Sequence, residues 1–305
     1  MRPTFGFGNY KYEYVDGWAK FPGKGVVSDI AVDSHGHTHI AYRKAPYPAT
    51  RTGTILVLDH NGNFVRSYGD QHLMTPHGIW IGPDDEVLHS DASNHTLTQF
   101  NPKGELLMTI GTKGAKGAPG LPFAGPTNVV RSAARDIFVS DGYQQNRVHR
   151  FTPDGKLKLS WGKGDPVYHE MSTTGKVTGT PGIGPGEFNL PHGIAIDRNN
   201  RIYIMDRSNN RVQVFDDTGK FLAEWKNVPN PNDGVFDSEG NLHLLSDMAV
   251  QVMKSDGTVL GRWGETGQGP GQLRRAPHGI WMDRNGDLYI AEVIIENTLH
   301  KFARI

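Results

Sequence analysis

The stretch "PHGIAIDRNNRIYIMDRSNNRVQVFDDTGKFLAEWK", Pro191 to Lys226, reads as four short β-strands in succession. Its apolar runs are each about five residues long, rich in β-branched and aromatic side chains, and separated by turn residues such as Asn199-Asn200 and Thr218-Gly219. Five more copies align with it, beginning at Val27, Pro76, Pro126, Asn232 and Pro277. Six copies of a four-stranded unit, each about 40 residues, predict an all-β chain folded as a six-bladed β-propeller. The blades are expected at about 26–70, 76–111, 126–163, 191–226, 232–264 and 277–305. The last copy lacks its outermost strand, which a segment at about 10–21 is expected to supply, closing the ring of a single 305-residue domain and covering an open edge.

Bulk composition narrows the function. Lys+Arg and Asp+Glu balance at 32 each, so no net charge draws the chain toward nucleic acid or an anionic membrane. The absence of cysteine excludes disulfides, thiolate metal ligands and a thiol nucleophile. No apolar stretch is long enough to span a bilayer, and the first residues lack a signal-type apolar core, so a cytoplasmic location is expected. The 38 glycines and 19 prolines suit many strands joined by tight turns.

With the copies in register, the position of His192 is Ser28 in blade 1, His77 in blade 2, Thr127 in blade 3, Asn232 in blade 5 and His278 in blade 6. Histidine therefore occupies alternate blades, about 120° apart around a six-fold ring, on the strand that lines the channel. Three imidazoles at one height predict a metal tripod. A His₃ set with an open fourth position is a known catalytic zinc arrangement, and Fe, Co or Ni also suit three nitrogen ligands. The competing reading makes each Pro-His-Gly a loop-shaping device, with proline fixing φ and glycine relieving crowding. Duplication alone does not account for the alternation.

Second strands end on the same rim. Arg43 and Arg207 each fall ten residues after the aspartate that ends the first strand, in blades facing one another across the channel. Two guanidiniums beside a metal suit a carboxylate-bearing small molecule or peptide. Tyr143, in "VSDGYQQNR", lies one residue beyond that register. Positive charge nearby favours its phenolate and makes it a candidate base. "HGHTH" (His35, His37, His39) resembles a ligand cluster but falls on the opposite rim. "GIGPGEF" (182–188) precedes a strand, so it is no phosphate loop. The long connection 163–190 is expected over the metal end, as a lid or a substrate-selecting loop.

The segments "AYR", "PHGIWI", "PTNVV", "IFVSDGYQQNRVHRFTPDGK", "LPHGIAID", "DRSNNRVQVF" and "APHGIWMD" together resemble NHL repeats, and the chain from about 25 to 300 resembles the lyases that cleave peptidyl-α-hydroxyglycine. The resemblance implies zinc on His77, His192 and His278, Tyr143 as base, and Arg43 and Arg207 beside the reacting group and its carboxylate. It implies breakage of the C–N bond of an N-acyl-α-hydroxyglycine to an amide and glyoxylate, with no redox change. The chain departs from that family at Gly279, where an acidic residue linked to a structural calcium is usual, which puts calcium in doubt. Ala276 replaces a methionine, and Ala124 and Gln144 stand in the stretches that hold disulfide cysteines. Two alternatives remain at this level: a metal-dependent hydrolase of lactones, esters or amides using the same channel site, and a non-catalytic NHL-type binding scaffold.

Overall fold

The computed structural model describes residues 2–162 and 182–305. Chain order gives two N-terminal strands, β1 (Thr4–Phe7) and β2 (Tyr10–Tyr14). Blade 1 follows as β3 (Gly25–Val32), β4 (Thr38–Lys44), β5 (Gly53–Leu58) and β6 (Phe64–Tyr68). Blade 2 is β7 (Pro76–Ile81), β8 (Val87–Asp91), β9 (Thr96–Phe100) and β10 (Leu106–Ile110). Blade 3 is β11 (Pro126–Arg131), β12 (Ile137–Asp141), β13 (Arg147–Phe151) and β14 (Leu157–Trp161). Blade 4 is β15 (Pro191–Ile196), β16 (Ile202–Asp206), β17 (Arg211–Phe215) and β18 (Phe221–Lys226). Blade 5 is β19 (Pro231–Phe236), β20 (Leu242–Ser246), β21 (Ala249–Met253) and β22 (Val259–Trp263). Blade 6 contributes β23 (Pro277–Met282), β24 (Leu288–Glu292) and β25 (Leu299–Arg304).

Each blade is an antiparallel meander, and the first strands touch in the order β3, β7, β11, β15, β19, β23 and back to β3. They form the channel wall. The ring closes as the repeat predicts: β2 pairs with β25, with Tyr12 opposite Arg304 and Tyr14 opposite Phe302. Upstream, the two-residue Gly8-Asn9 turn adds β1 as a fifth strand, which no repeat announces. Phe7 of β1 lies over Gly261 of β22, where a Cβ would come within 2.4 Å of its ring. The sixth blade is thus braced against the fifth.

Local sequence explains the meanders. Asp197 follows β15 directly, and its Oδ1 accepts the backbone N–H groups of Asn199 and Arg201, both at 2.9 Å, which pins the turn into β16. Inner strands such as β16 are buried along their whole length, whereas in the outer β18 only Trp225 is buried. The core lies between blades. Tyr203, Met205, Val212 and Trp225 of blade 4 pack on Leu242, Leu244 and Met253 of blade 5. Each such side chain contributes roughly 1.5–3 kcal/mol by leaving water.

One irregularity recurs in all six blades. Every first strand carries a register shift at the histidine position, between Val27 and Asp29, Pro76 and Ile79, Pro126 and Asn128, Pro191 and Ile194, Pro231 and Asp233, and Pro277 and Gly279. A bulge re-aims side chains and breaks strict alternation. Two successive residues of each strand can therefore face the channel.

Candidate metal centre

The segment entering each histidine is held from below. Asp91, Asp206 and Glu292, at the ends of second strands, accept backbone N–H groups just ahead of His77, His192 and His278: Met74 at 2.6 Å, Asn189 at 2.7 Å and Arg274 at 2.7 Å. The three imidazoles converge as the alternation predicts. Their ring centroids are 4.6 to 5.0 Å apart. One ligating nitrogen from each lies within 4.8 Å of the others, and among the described residues this is the only group of three or more metal-binding side chains.

Each ring is anchored through Nδ1 to a backbone carbonyl of a neighbouring blade: His77 to Thr127 O at 2.6 Å, His192 to Asn232 O at 2.8 Å, His278 to Ser28 O at 2.7 Å. A carbonyl only accepts, so Nδ1 carries the proton and each Nε2 offers a lone pair. Burial first, then neighbouring imidazoles and guanidiniums, holds His77 and His192 well below the usual imidazole range, and burial with the Arg43 and Arg207 guanidiniums holds His278 down at about 3. Three neutral, convergent nitrogen donors fit one divalent ion, with zinc, iron, cobalt and nickel all compatible with the donor set.

The other predicted residues gather around this tripod. The Tyr143 hydroxyl is 2.7 Å from His77 Nε2 and 3.3 Å from His192 Nε2. Its side chain starts so close to Gly125 that a Cβ there would lie 2.9 Å from the Tyr143 Cβ, and Gly125 has φ +102°. Only glycine fits. Arg43 is 5% exposed, donates from Nε to Pro76 O at 2.9 Å and lies over the Tyr47 ring, 5.2 Å from its centroid. Arg207 opens a short 3₁₀ turn (Arg207–Asn209) and reaches Asn232 Oδ1 at a long 3.4 Å. Neither guanidinium has a carboxylate partner among the described residues; Asp206 is taken instead by Arg211, at 2.7 Å. Both positive charges are felt at His192 and His278.

Other sequence features go elsewhere. His35, His37 and His39 do not converge: His37 and His39 share the Asp33 carboxylate at 3.1 and 3.3 Å, His35 faces Asp85, and His39 Nδ1 meets the Tyr68 hydroxyl. In "GIGPGEF", the carbonyls of Ile183, Gly184 and Glu187 accept hydrogen bonds from Arg211. The expected lid falls mostly at 163–181, outside the described residues.

A second ring of side chains was missed. Asp29, Asn128 and Asp233 follow Ser28, Thr127 and Asn232 and are at most 9% exposed. In the histidine blades the same position is glycine. A Cβ would meet Asn128 Oδ1 at 2.5 Å from Gly78, Asp233 Oδ1 at 3.0 Å from Gly193, and Asp29 Oδ1 at 2.1 Å from Gly279. The Gly279 departure thus has a local cause: the Asp29 carboxylate fills the space a side chain would need. Burial and the neighbouring Asp233 push Asp29 well above the usual carboxylate range, and burial pushes Asp233 up to about 7. Beyond this ring the channel opens into a cavity of about 250 Å³ walled by Trp80, Phe236, Trp281 and Met282. The signal lay in the dipeptides Ser-Asp, His-Gly, Thr-Asn, His-Gly, Asn-Asp, His-Gly, in blade order.

Fold and channel together define a six-bladed propeller of NHL repeats with a histidine-lined axis. The NHL repeat family matches residues 188–215. The chain is 30% identical over 306 residues to NHL repeat-containing protein 3 of Homo sapiens, covering 91% of this chain and 80% of that protein. It is 26% identical over 244 residues to peptidyl-alpha-hydroxyglycine alpha-amidating lyase 1 of Drosophila melanogaster, covering 72% of this chain and 43% of the lyase. A gluconolactonase from Xanthomonas campestris shares the fold with a TM-score of 0.66 at 14% identity, over 99% of this chain and 95% of that one. The chain belongs to the NHL repeat-containing family, and proteins named as amidating lyases are among those similar to it. No helix among the described residues is long and apolar enough to cross a membrane.

Proposed function

We propose that this protein is a metal-dependent carbon–nitrogen lyase that converts an N-acyl-α-hydroxyglycine-like carbinolamide to an amide and glyoxylate. The observation that carries this reading is the set of three buried Nε2 donors with the Tyr143 hydroxyl 2.7 Å from one of them. His77, His192 and His278 would hold the ion, which when bound supplies Lewis acidity that makes the substrate hydroxyl easier to ionise. Tyr143 takes the hydroxyl proton and returns it to the departing amide nitrogen as the C–N bond breaks and the C–O bond becomes a carbonyl. No proton is gained or lost overall, and no redox partner is needed. Arg43 and Arg207, free of acidic partners among the described residues, pair with the substrate carboxylate and oppose the negative charge on the reacting oxygen. A related protein is named as such a lyase.

The test is glyoxylate release from α-hydroxyhippurate by zinc-loaded protein, with metal content measured alongside. Wild type should bind about one ion per chain and release glyoxylate, and His192→Ala should lose both. Undiminished activity in His192→Ala would sink the reading. So would a fully loaded wild type that releases no glyoxylate; turnover of lactones in its place would mark a hydrolase.

A further inference from the structure

The six residues at the histidine register are linked in one closed circuit of hydrogen bonds. Ser28 Oγ donates to Pro76 O at 2.7 Å, and His77, next in the chain, donates from Nδ1 to Thr127 O at 2.6 Å. Thr127 Oγ1 donates to Pro191 O at 2.9 Å, and His192 Nδ1 donates to Asn232 O at 2.8 Å. Asn232 Nδ2 donates to Pro277 O at 3.0 Å, and His278 Nδ1 returns the circuit to Ser28 O at 2.7 Å. All six residues are at most 7% exposed. Each non-histidine member has two tasks. Its side chain holds the proline carbonyl ahead of the next blade's histidine, and its own carbonyl takes the imidazole N–H of the previous blade.

Three different side chains, a primary hydroxyl, a secondary hydroxyl and a carboxamide, reach the same kind of atom at the same place in the repeat. They do so only in the blades that lack histidine. The circuit also carries the cations: Arg43 Nε shares Pro76 O at 2.9 Å, and Asn232 Oδ1 faces Arg207.

We propose that Ser28, Thr127 and Asn232 are positioning residues of the metal centre, fixing each imidazole with Nδ1 protonated and Nε2 toward the axis before any ion arrives, and that Asn232 also orients Arg207. The proposal rests on the reading of the triad as a metal centre. Its physical basis is the cost of a loose buried carbonyl. A buried carbonyl that loses its donor is left with an unpaired lone pair and relaxes by shifting its strand. A strand shift at the proline turns the next residue, the histidine, off the axis. Loss of a partner that orients a ligating histidine weakens metal binding by roughly 10–100-fold.

Thr127→Val removes the hydroxyl at nearly constant shape, and Asn232→Leu removes the carboxamide. Two measurements on folded protein decide the matter. Imidazole ¹⁵N signals of the metal-free protein should show single Nδ1-protonated tautomers in wild type, with His192 losing that uniformity in Thr127→Val and His278 in Asn232→Leu. Co²⁺ titration against a competing chelator should show affinity reduced about 10–100-fold in each variant, with altered visible absorption and recovery in Thr127→Ser. In turnover, Asn232→Leu should raise KM more than Thr127→Val does, because only it releases Arg207. Wild-type tautomers and Co²⁺ affinity in Thr127→Val would overturn the proposal, and that near-isosteric change decides it should Asn232→Leu fail to fold. If wild type takes up no Co²⁺, the metal reading falls instead, and the metal-free imidazole signals still decide whether the circuit orients the rings.

Discussion

Two rings of side chains lie one residue apart on the same six strands, and their chemistry is opposite. The upper ring holds three neutral imidazoles with the guanidiniums of Arg43 and Arg207 close by. The lower ring holds Asp29, Asn128 and Asp233, whose two carboxylates burial raises above the usual range. Bulk alternates out of phase: a histidine above goes with a glycine below, and a small polar residue above goes with a carboxylate or carboxamide below. The bulges make this possible by turning successive residues into one channel. The difference teaches that the repeat supplies two sets of three channel positions at each level. One set can specialise in chemistry while the other packs and orients it.

The largest expected contrast between the rings is in turnover. Tyr143→Phe should retain the metal and lose about 10²- to 10⁴-fold in kcat on the carbinolamide substrate, the usual weight of a positioned acid–base group. Asp29→Asn, one ring down, should change kcat far less. Equal losses in the two variants, measured by steady-state glyoxylate release, would erase the functional distinction between the rings.

The rings should also respond oppositely to pH in the metal-free protein. The channel histidines have folded pKa values depressed below the ordinary 6.5, so their stability contribution is complete above that value. It is lost as pH falls, because the unfolded chain takes up protons the folded one refuses, at up to about 1.4 kcal/mol per pH unit per group. Asp233 is the reverse. Raised from 3.8 to about 7, it holds a proton in the folded chain that the unfolded chain has released, so its contribution declines as pH rises across that window. The stability difference between Asp233→Asn and wild type, from urea unfolding, should therefore shift in the variant's favour from about pH 4 to about pH 7. A difference that is flat with pH would show that Asp233 is not protonated in the fold.

The smallest effect concerns packing between the rings. Gly279→Ala brings a Cβ within 2.1 Å of Asp29 Oδ1 and 2.8 Å of its Cα. Overpacking of this kind costs about 1–3 kcal/mol. Asp29→Gly in the same chain should recover part of that loss in denaturant unfolding. No coupling between the two changes would mean that something other than Asp29 keeps residue 279 small.

Most of the architecture was legible because a repeat turns sequence distance into angle. The spacing of Pro76-His77, Pro191-His192 and Pro277-His278 already assigned the imidazoles to alternate blades, and the register brought Arg43, Tyr143 and Arg207 to the same rim. The strand Thr4–Phe7 was not legible, because it belongs to no repeat and exists only where Gly261 leaves room for Phe7. The "HGHTH" residues, set apart from the metal rim by the register, do not converge for a related reason: neighbours in sequence diverge on a turn, with His39 directed to Tyr68 and His35 outward to Asp85.

By itself the sequence determined how many blades there are, which of them carry histidine and which residue types share the rim. These follow from period and parity, which need no coordinates. Only the tertiary structure decided which imidazole nitrogen faces the axis. That choice is made by the carbonyls of Ser28, Thr127 and Asn232, and a backbone carbonyl is the same in every residue, so no letter of the sequence announces it. Ring closure alone brought Ser28 to His278, at opposite ends of the chain, and with them the last bond of the circuit.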